Sequence, residues 1–356
     1  MADEYPYNDD LLTGPSDQER ARAEFPDVAF AFIFPEMLEV FARADAEANR
    51  LKHVIRFRGL LSIALVTVSL IMASASPLFE QVGGHWQAAT TVLAAVLGVS
   101  GGAIAFFTRP RPWLETRLVT ERLRQFHFSL MIELAPDLLQ AAATQDTAPY
   151  RAKRLAALAA FEQNVVRRKA EVLETLIEDP EPAGGEIKPL PPAALLDGPT
   201  GAQLLAAYRE LRLLRQRQYA DHKLRRSGGM FSAFPRAQAG VLGTAGVACI
   251  GLLFVLDIGA ALMVNHPAPP ISPLLHATTL SIAVVALAIR TLEEGLKPRT
   301  EIERYRHYQA AARRLLAQFD NGDTAAKLDA VAALERAAFD EMGIFMRAHE
   351  EARFSM

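Results

Sequence analysis

Two long stretches of this chain contain almost no charge. Residues 59–108 carry one charged side chain, Glu80, and residues 237–289 carry one, Asp257. The chain as a whole has 38 Lys and Arg and 41 Asp and Glu, so its remaining segments are strongly charged. The overall hydrophobic content of 51% therefore conceals two apolar blocks within a charged chain. This segregation argues against a simple soluble globule.

Each apolar block divides into two runs, which cover residues 59–79, 88–107, 237–262 and 271–289. A helix needs about 20 apolar residues to cross a bilayer, and lipid requires every backbone polar group to be paired within the segment. The four runs come close to or exceed that length. We therefore predict an all-α, polytopic membrane protein with four transmembrane helices in two hairpins and long cytosolic helical bundles. Buried core helices of a large soluble protein are the alternative.

Basic residues flank the hairpins but are absent from the two loops at their tips. They are Arg50, Lys52, Arg56, Arg58, Arg109, Arg111, Arg117, Arg225, Arg226, Arg236, Arg290, Lys297 and Arg299. The positive-inside rule then predicts that both termini and the long middle segment are cytoplasmic. No secretory signal peptide is expected in the acidic first 35 residues.

The chain is predicted to contain two similar units. Residues 1–30 form an acidic disordered tail, 31–180 a first two-span unit, 181–200 a Pro- and Gly-rich linker, and 201–356 a second two-span unit. The apolar run 28–34 either docks on another surface or covers the protein's own surface, which we favour. Glu121-Arg-x-Arg-x-Phe126 and Glu303-Arg-x-Arg-x-Tyr308 recur 182 residues apart. Duplication explains this recurrence better than chance similarity between charged helices.

Signatures of catalysis are scarce in this sequence. It contains no phosphate-binding glycine loop, and its histidines are scattered. The single cysteine, Cys249, lies within the third apolar run. The near-neutral charge argues against nucleic-acid binding. We therefore predict a protein that is not an enzyme and has neither a cofactor nor a metal site.

Small and polar residues within the spans are candidates for helix packing and for ion handling. The predicted packing residues are Gly98, Gly102, Gly240, Gly243 and Gly246, because glycine lets helix backbones approach closely. These glycines either pack the two helices of each hairpin together or mediate self-association of the chain. The second role leads us to predict a homo-oligomer. Asp257 is an interfacial carboxylate or an intramembrane polar site.

Charged residues beside the spans are predicted to couple the cytosolic helices to the membrane, because their spacing allows Glu–Arg pairing along a helix. These residues are Arg117, Glu121, Arg122, Arg124, Arg299, Glu303, Arg304 and Arg306. Trp113 is predicted to act with them as an anchor at the membrane interface.

The pattern of a hairpin, a basic turn and a charged helix resembles the SLATT domains, two-transmembrane effector domains of bacterial conflict systems. The resemblance rests on residues 292–299, 301–308 and 333–354, and in the first unit on 113–117 and 121–126. It implies a pore-forming or membrane-perturbing antiviral effector of the bacterial inner membrane. The implied partners are the lipid bilayer, further copies of the chain, and a separate nucleotide-sensing or SLOG-type protein. A membrane scaffold that recruits a cytosolic partner and a small ion or solute transporter are the alternatives.

Overall fold

The computed structural model describes residues 8–80, 83–179, 187, 189–225, 234–264 and 273–350, and every regular element in these residues is helical. Four helices contain a segment long and apolar enough to cross a membrane. The all-α fold class and the four candidate spans are therefore confirmed.

The described α-helices are named in chain order. They are α1 (Pro15–Glu24), α2 (Ala29–Phe32), α3 (Pro35–Glu80), α4 (Gly84–Phe107), α5 (Arg111–Glu133), α6 (Ala135–Thr144), α7 (Ala148–Phe161), α8 (Lys169–Glu178), α9 (Pro199–Tyr208), α10 (Arg215–Lys223), α11 (Pro235–Val264), α12 (Pro273–Leu296), α13 (Pro298–Asn321) and α14 (Thr324–Glu350). Short 3-10 turns cover Asp9–Leu11 and Ala193–Leu196, and π-helical turns cover Glu162–Val166 and Arg209–Leu214.

Proline marks the start of many of these helices. Pro35, Pro199, Pro235, Pro273 and Pro298 each occupy the first position of a helix. Proline suits this position because the N–H that it lacks would have no partner within the helix, and its fixed φ is already helical. The chain is thus divided locally into helices by residues that can be read from the sequence.

The chain divides into two compact units. The helical unit comprises residues 1–50, 111–225 and 302–350, and the hairpin unit comprises residues 51–110, 226–301 and 351–356. This grouping differs from the predicted tandem units 31–180 and 201–356. The physical reason is that amphipathic helices from both halves bury their apolar faces in one shared core, which includes Leu123, Leu213 and Leu334. The internal duplication itself stays a prediction.

The N-terminal segment is ordered from residue 8 onward, so the prediction of a disordered tail over residues 1–30 is wrong for its described part. Leu11 and Leu12 are fully buried and Phe25 is nearly so. Val28 and Phe32 also lie in the core of the helical unit, so the apolar run 28–34 does cover the protein's own surface. Burial of these apolar side chains offsets the entropy cost of ordering a segment rich in charge.

The predicted linker is structured in its second half. Leu196, in a 3-10 turn, is buried, and Gly201 lies against it, since a Cβ at that glycine would come within 2.5 Å of Leu196 Cα. Residues 180–186 and 188 lie outside the described residues. So do residues 265–272, which include the predicted tip of the second hairpin.

Serine hydroxyls and close backbone contacts join the two helices of the first hairpin. Ser62 Oγ donates a hydrogen bond of 2.8 Å to the Gly101 carbonyl, and Ser69 Oγ donates one of 2.6 Å to the Ala94 carbonyl. A Cβ placed on Gly101 would lie 3.0 Å from the Ser62 carbonyl oxygen. Such contacts suit helices in lipid, where packing and interhelical hydrogen bonds take the place of hydrophobic burial.

The predicted packing glycines differ in what surrounds them. A Cβ on Gly98 would lie 2.8 Å from Ser69 Oγ, and one on Gly246 would lie 3.9 Å from Ile289 Cγ2. In contrast, no atom within 4 Å would meet a Cβ on Gly102, Gly240 or Gly243. The glycine spacing in the sequence selected Gly102. The structure shows instead that its neighbour Gly101 lies in close contact with the facing helix.

Large apolar side chains cover the outer surface of the hairpin unit. Val99, Phe106, Phe107 and Val247 are each more than 70% exposed. Phe254 is exposed to a similar degree, at 66%. An apolar surface of this kind requires either lipid or another protein to cover it.

We predict that Gly101→Ala destabilises the first hairpin, because the new methyl group would crowd both the Ser62 carbonyl oxygen and a Val66 methyl group. The expected cost is roughly 1–3 kcal/mol, measured by thermal unfolding of the purified chain in detergent. Gly102→Ala is the matched control, since nothing lies within 4 Å of its new Cβ. Equal melting temperatures for the two variants would contradict this packing.

Candidate functional site

A fully buried carboxylate lies at the centre of the helical unit. Glu335 on α14 is 0% exposed, and two nitrogens of the Arg212 guanidinium each donate to it at 2.8 Å. The Tyr208 hydroxyl donates a third hydrogen bond of 2.6 Å to the same carboxylate. Because Tyr208 and Arg212 are four residues apart on continuous helical backbone, both side chains reach one acceptor.

Helix α5 contributes to the same cluster. Gln125 Nε2 donates to the backbone carbonyl of Glu335 at 3.1 Å, and the Arg212 guanidinium lies 4.9 Å above the Phe128 ring centroid. The Phe128 and Tyr208 rings meet edge to face at 5.7 Å. Three segments distant in the chain are thus joined at one ion pair.

The charge states in this cluster follow from their neighbours. Burial raises the pKa of Tyr208, and the Glu335 carboxylate raises it further, so the phenol stays protonated and donates. Burial alone would lower the pKa of Arg212, but the adjacent Glu335 outweighs that effect and raises it. The Arg212 guanidinium therefore remains charged throughout the physiological pH range.

A polar cavity of about 70 Å³ lies beside this cluster, within the helical unit. Four arginines from three elements line it, namely Arg117 and Arg124 of α5, Arg212 of the π-helical turn and Arg304 of α13. The lining carboxylates are Glu121 and Glu341. A polar space of this size has room for several water molecules or for one small ligand.

Every arginine of the cavity is paired with a carboxylate. Arg117 pairs with Glu121 and with Asp45 at 3.8 Å, Arg124 with Asp10 at 3.1 Å and with Glu121 at 3.4 Å, and Arg304 with Glu341. The N-terminal segment thus supplies one of these carboxylates, Asp10. Because these groups are partly or fully withdrawn from water, removing one partner would leave an uncompensated charge, unlike at an isolated surface pair.

Aromatic rings form the rest of the cavity wall. The Tyr219 and Tyr305 hydroxyl oxygens lie 3.3 Å apart, and the Tyr308 hydroxyl donates to Gln216 Oε1 at 2.9 Å. The Arg304 guanidinium lies 4.3 Å above the Tyr305 ring centroid. The cavity therefore presents hydroxyl and guanidinium donors side by side.

Four of the predicted coupling residues line this cavity, and the others lie elsewhere. Trp113 meets Phe345 edge to face at 5.8 Å. The Arg122 side chain donates to Gln125 Oε1 at 2.7 Å, and Arg299 pairs with Glu293 at 3.0 Å in the hairpin unit. Glu303 and Arg306 are exposed on α13.

The two copies of the Glu-Arg-x-Arg-x-aromatic motif have different surroundings. In the first copy, Glu121 and Arg124 take part in the cavity network, whereas their counterparts Glu303 and Arg306 face outward. In the second copy, Arg304 and Tyr308 provide the cavity contacts instead. The two copies of the motif, on α5 and α13, therefore contribute different motif positions to the same cavity.

Sequence reasoning missed Glu335, Arg212 and Tyr208. A signal for Glu335 was present, because the apolar stripe through Leu328, Val331, Ala338 and Met342 on α14 skips one step, and Glu335 occupies that step. A charge on the apolar stripe of a helix predicts a buried partner. Nothing in the sequence near Glu335 indicates which residue is that partner.

Asp257 is exposed on α11, within one of the four candidate spans. Among the residues that the structure describes, there is no group of three or more His, Cys, Asp or Glu arranged to hold a metal ion.

Comparison of the chain with protein-family models, curated proteins and solved structures gives no match. The resemblance to SLATT domains therefore stays a prediction from the sequence.

We predict that Glu335→Gln strongly destabilises the helical unit, because it leaves the Arg212 charge buried without its counter-ion. The expected loss is about 3–5 kcal/mol in the free energy of unfolding, measured by denaturant titration of the purified chain. Asp320→Asn is the control, since it breaks a pair with Arg209 that is more than a third exposed, and its cost should be about 0–1 kcal/mol. Similar losses for both variants would show that the Glu335 pair has no special role.

We predict that the buried Asp10 carboxyl makes the stability of the helical unit depend on pH. Burial raises its pKa above the ordinary value of 3.8, although Arg124 acts in the opposite direction. A raised folded-state pKa favours folding at low pH, and that contribution is lost as pH rises through the raised value. The stability of Asp10→Asn relative to wild type should therefore increase as pH rises above 3.8. Asp329→Asn, which changes an exposed carboxylate, should give no such trend in the same thermal melts.

Proposed function

We propose that this protein is a non-enzymatic membrane effector that perturbs the bilayer through its two helical hairpins. The observation that carries this proposal is the uncovered surface of α11. Gly240, Gly243 and Gly251 on this helix have no neighbouring atom within 4 Å of a Cβ built on them, and Val247 on the same face is 71% exposed. This face offers a second helix the close approach that small residues allow in lipid.

The proposed site of action is the bacterial inner membrane, with both termini in the cytoplasm. The basic residues that flank the spans support this orientation, because Lys and Arg are retained on the cytoplasmic side. The helical unit would then be cytosolic and would receive the signal. Helix α3 continues without a break from Pro35 to Glu80, which gives a stiff element along which a change in the helical unit can be transmitted.

A conducting path would require several copies of the chain, because four helices alone do not enclose a wide aqueous channel. Self-association through the open face of α11 supplies such an assembly. In keeping with the SLATT resemblance, a separate nucleotide-sensing or SLOG-type protein is the proposed source of the signal.

A second candidate function is transport of a small ion or solute. Asp257 supports it, since an ionisable residue within an apolar span is a candidate member of an ion or proton pathway. Asp257→Asn should abolish cation-coupled flux in proteoliposomes if the protein is a carrier, and should leave depolarisation unchanged if it is an effector.

We predict that induced expression, together with the flanking genes, collapses the membrane potential reported by a voltage-sensitive dye. The double variant Gly240→Leu and Gly251→Leu should abolish this collapse, because the added side chains would separate neighbouring copies. Ala248→Leu, also exposed on α11, places a leucine on a neighbouring face and is the control for position. Membrane levels of all three proteins are compared by immunoblotting.

A protein that accumulates in the membrane without lowering the potential would contradict the effector proposal. That outcome, combined with recovery of a cytosolic partner bound to the helical unit, would favour the alternative of a membrane scaffold.

A further inference from the structure

The cavity of the helical unit has more cationic than anionic side chains on its wall. Arg117, Arg124, Arg212 and Arg304 line it, against the two carboxylates Glu121 and Glu341. The other carboxylates of the network, namely Asp10, Asp45 and Glu335, pair with these arginines but do not line the cavity. The wall therefore presents more guanidinium than carboxylate groups to the space, within a network of four arginines and five carboxylates.

The electrostatic surroundings of Glu121 show that the four guanidinium groups act on one point of the cavity wall. All four lining arginines attract this one carboxylate electrostatically, so their fields overlap at the cavity wall. In surroundings of low dielectric such fields are screened far less than in water. A second anion placed beside Glu121 would experience the same four guanidinium groups.

The available donors suit one class of anion. Guanidinium groups present several N–H donors in a planar fork that matches the oxygens of phosphate or carboxylate. Tyr219, Tyr305 and Tyr308 add phenol oxygens to the same wall. Burial raises the pKa of Tyr219, and the nearby Tyr305 adds to this effect, so the Tyr219 hydroxyl stays protonated and able to donate.

A cationic ligand fits this cavity less well. Two of the four aromatic rings that line the cavity are already covered by Arg304, which lies 4.3 Å from the Tyr305 ring centroid and 4.9 Å from that of Phe345. A cation would also have to displace a guanidinium from Glu121 or Glu341.

We propose that this cavity binds a compact phosphate-class dianion. The arginine and tyrosine donors of α5, α10, α13 and the π-helical turn Arg209–Leu214 would hold it. The role of this binding as a signal rests on the proposed function. Helices α5 and α13 each follow a candidate span within a few residues of chain. A ligand that draws α5 and α13 together would shift the two helices that directly follow these spans in the chain.

The test is a titration of inorganic phosphate and of pyrophosphate into the full-length chain in neutral-lipid nanodiscs, followed by isothermal calorimetry and thermal unfolding. We expect saturable binding and a rise in melting temperature with either ion. Nanodiscs that contain phosphatidic acid, without added phosphate, form a second arm. A rise in melting temperature in that arm, together with weaker binding of free phosphate, would identify a lipid headgroup as the source of the phosphate.

The diagnostic variant is Arg304→Gln combined with Glu341→Gln, which removes one guanidinium from the wall together with its own counter-ion. Phosphate affinity should fall at least tenfold. The matched control, Arg209→Gln combined with Asp320→Asn, removes an exposed ion pair whose residues do not line the cavity and should leave affinity unchanged. Tyr219→Phe, which removes only a hydroxyl, should weaken binding several-fold and keeps the test informative if the double variant fails to fold.

Absence of saturable binding by the wild-type chain would overturn the proposal, as would equal affinity in the cavity variants and the control. These measurements need no membrane potential and no second copy of the chain. Failure of phosphate binding with intact depolarisation would therefore reject this site alone, and binding without depolarisation would reject the effector function alone.

Discussion

Glu335 carries a negative charge where water does not reach, and the helical unit is built around the groups that neutralise it. Withdrawing a carboxylate from water costs several kcal/mol, so folding requires Arg212 and Tyr208 to arrive at the same point. Gln125 joins them from a third segment. Since removing one partner would leave an uncompensated buried charge, this cluster ties together helices from both halves of the chain.

The arginine network extends the same principle to the cavity. Each guanidinium there has a carboxylate partner, and Asp10 brings its charge from the N-terminal segment. The network as a whole holds four arginines and five carboxylates, and only two of those carboxylates line the cavity. This arrangement lets a binding site for anions exist within a stable, buried set of ion pairs. It also explains why an acidic segment, expected to be disordered, is packed into the core.

The hairpins follow a different physical rule. Lipid is as apolar as the side chains that face it, so burial of apolar surface gives little drive for association there. Specific contacts such as Ser62 with Gly101 and Ser69 with Ala94 hold α3 against α4. Ser74 and Ser281, whose hydroxyl oxygens lie 3.1 Å apart, join the first hairpin to the second in the same way. These contacts use little of the surface, and the open face of α11 is left available.

The sequence by itself determined the helical class and the four apolar spans, and its prolines mark several helix starts. Each of these depends on neighbouring residues: a run without charge, a proline at a first turn, or an apolar stripe with helical spacing. The coupling residues of α5 were also recognisable, because a glutamate pairs with an arginine within one turn. Only the tertiary structure decided which charges share a core, which glycine approaches a neighbouring helix, and that the two halves pack as one helical unit. Those outcomes depend on residues far apart in the chain, and neither composition nor periodicity specifies which distant segment will supply the partner of Glu335.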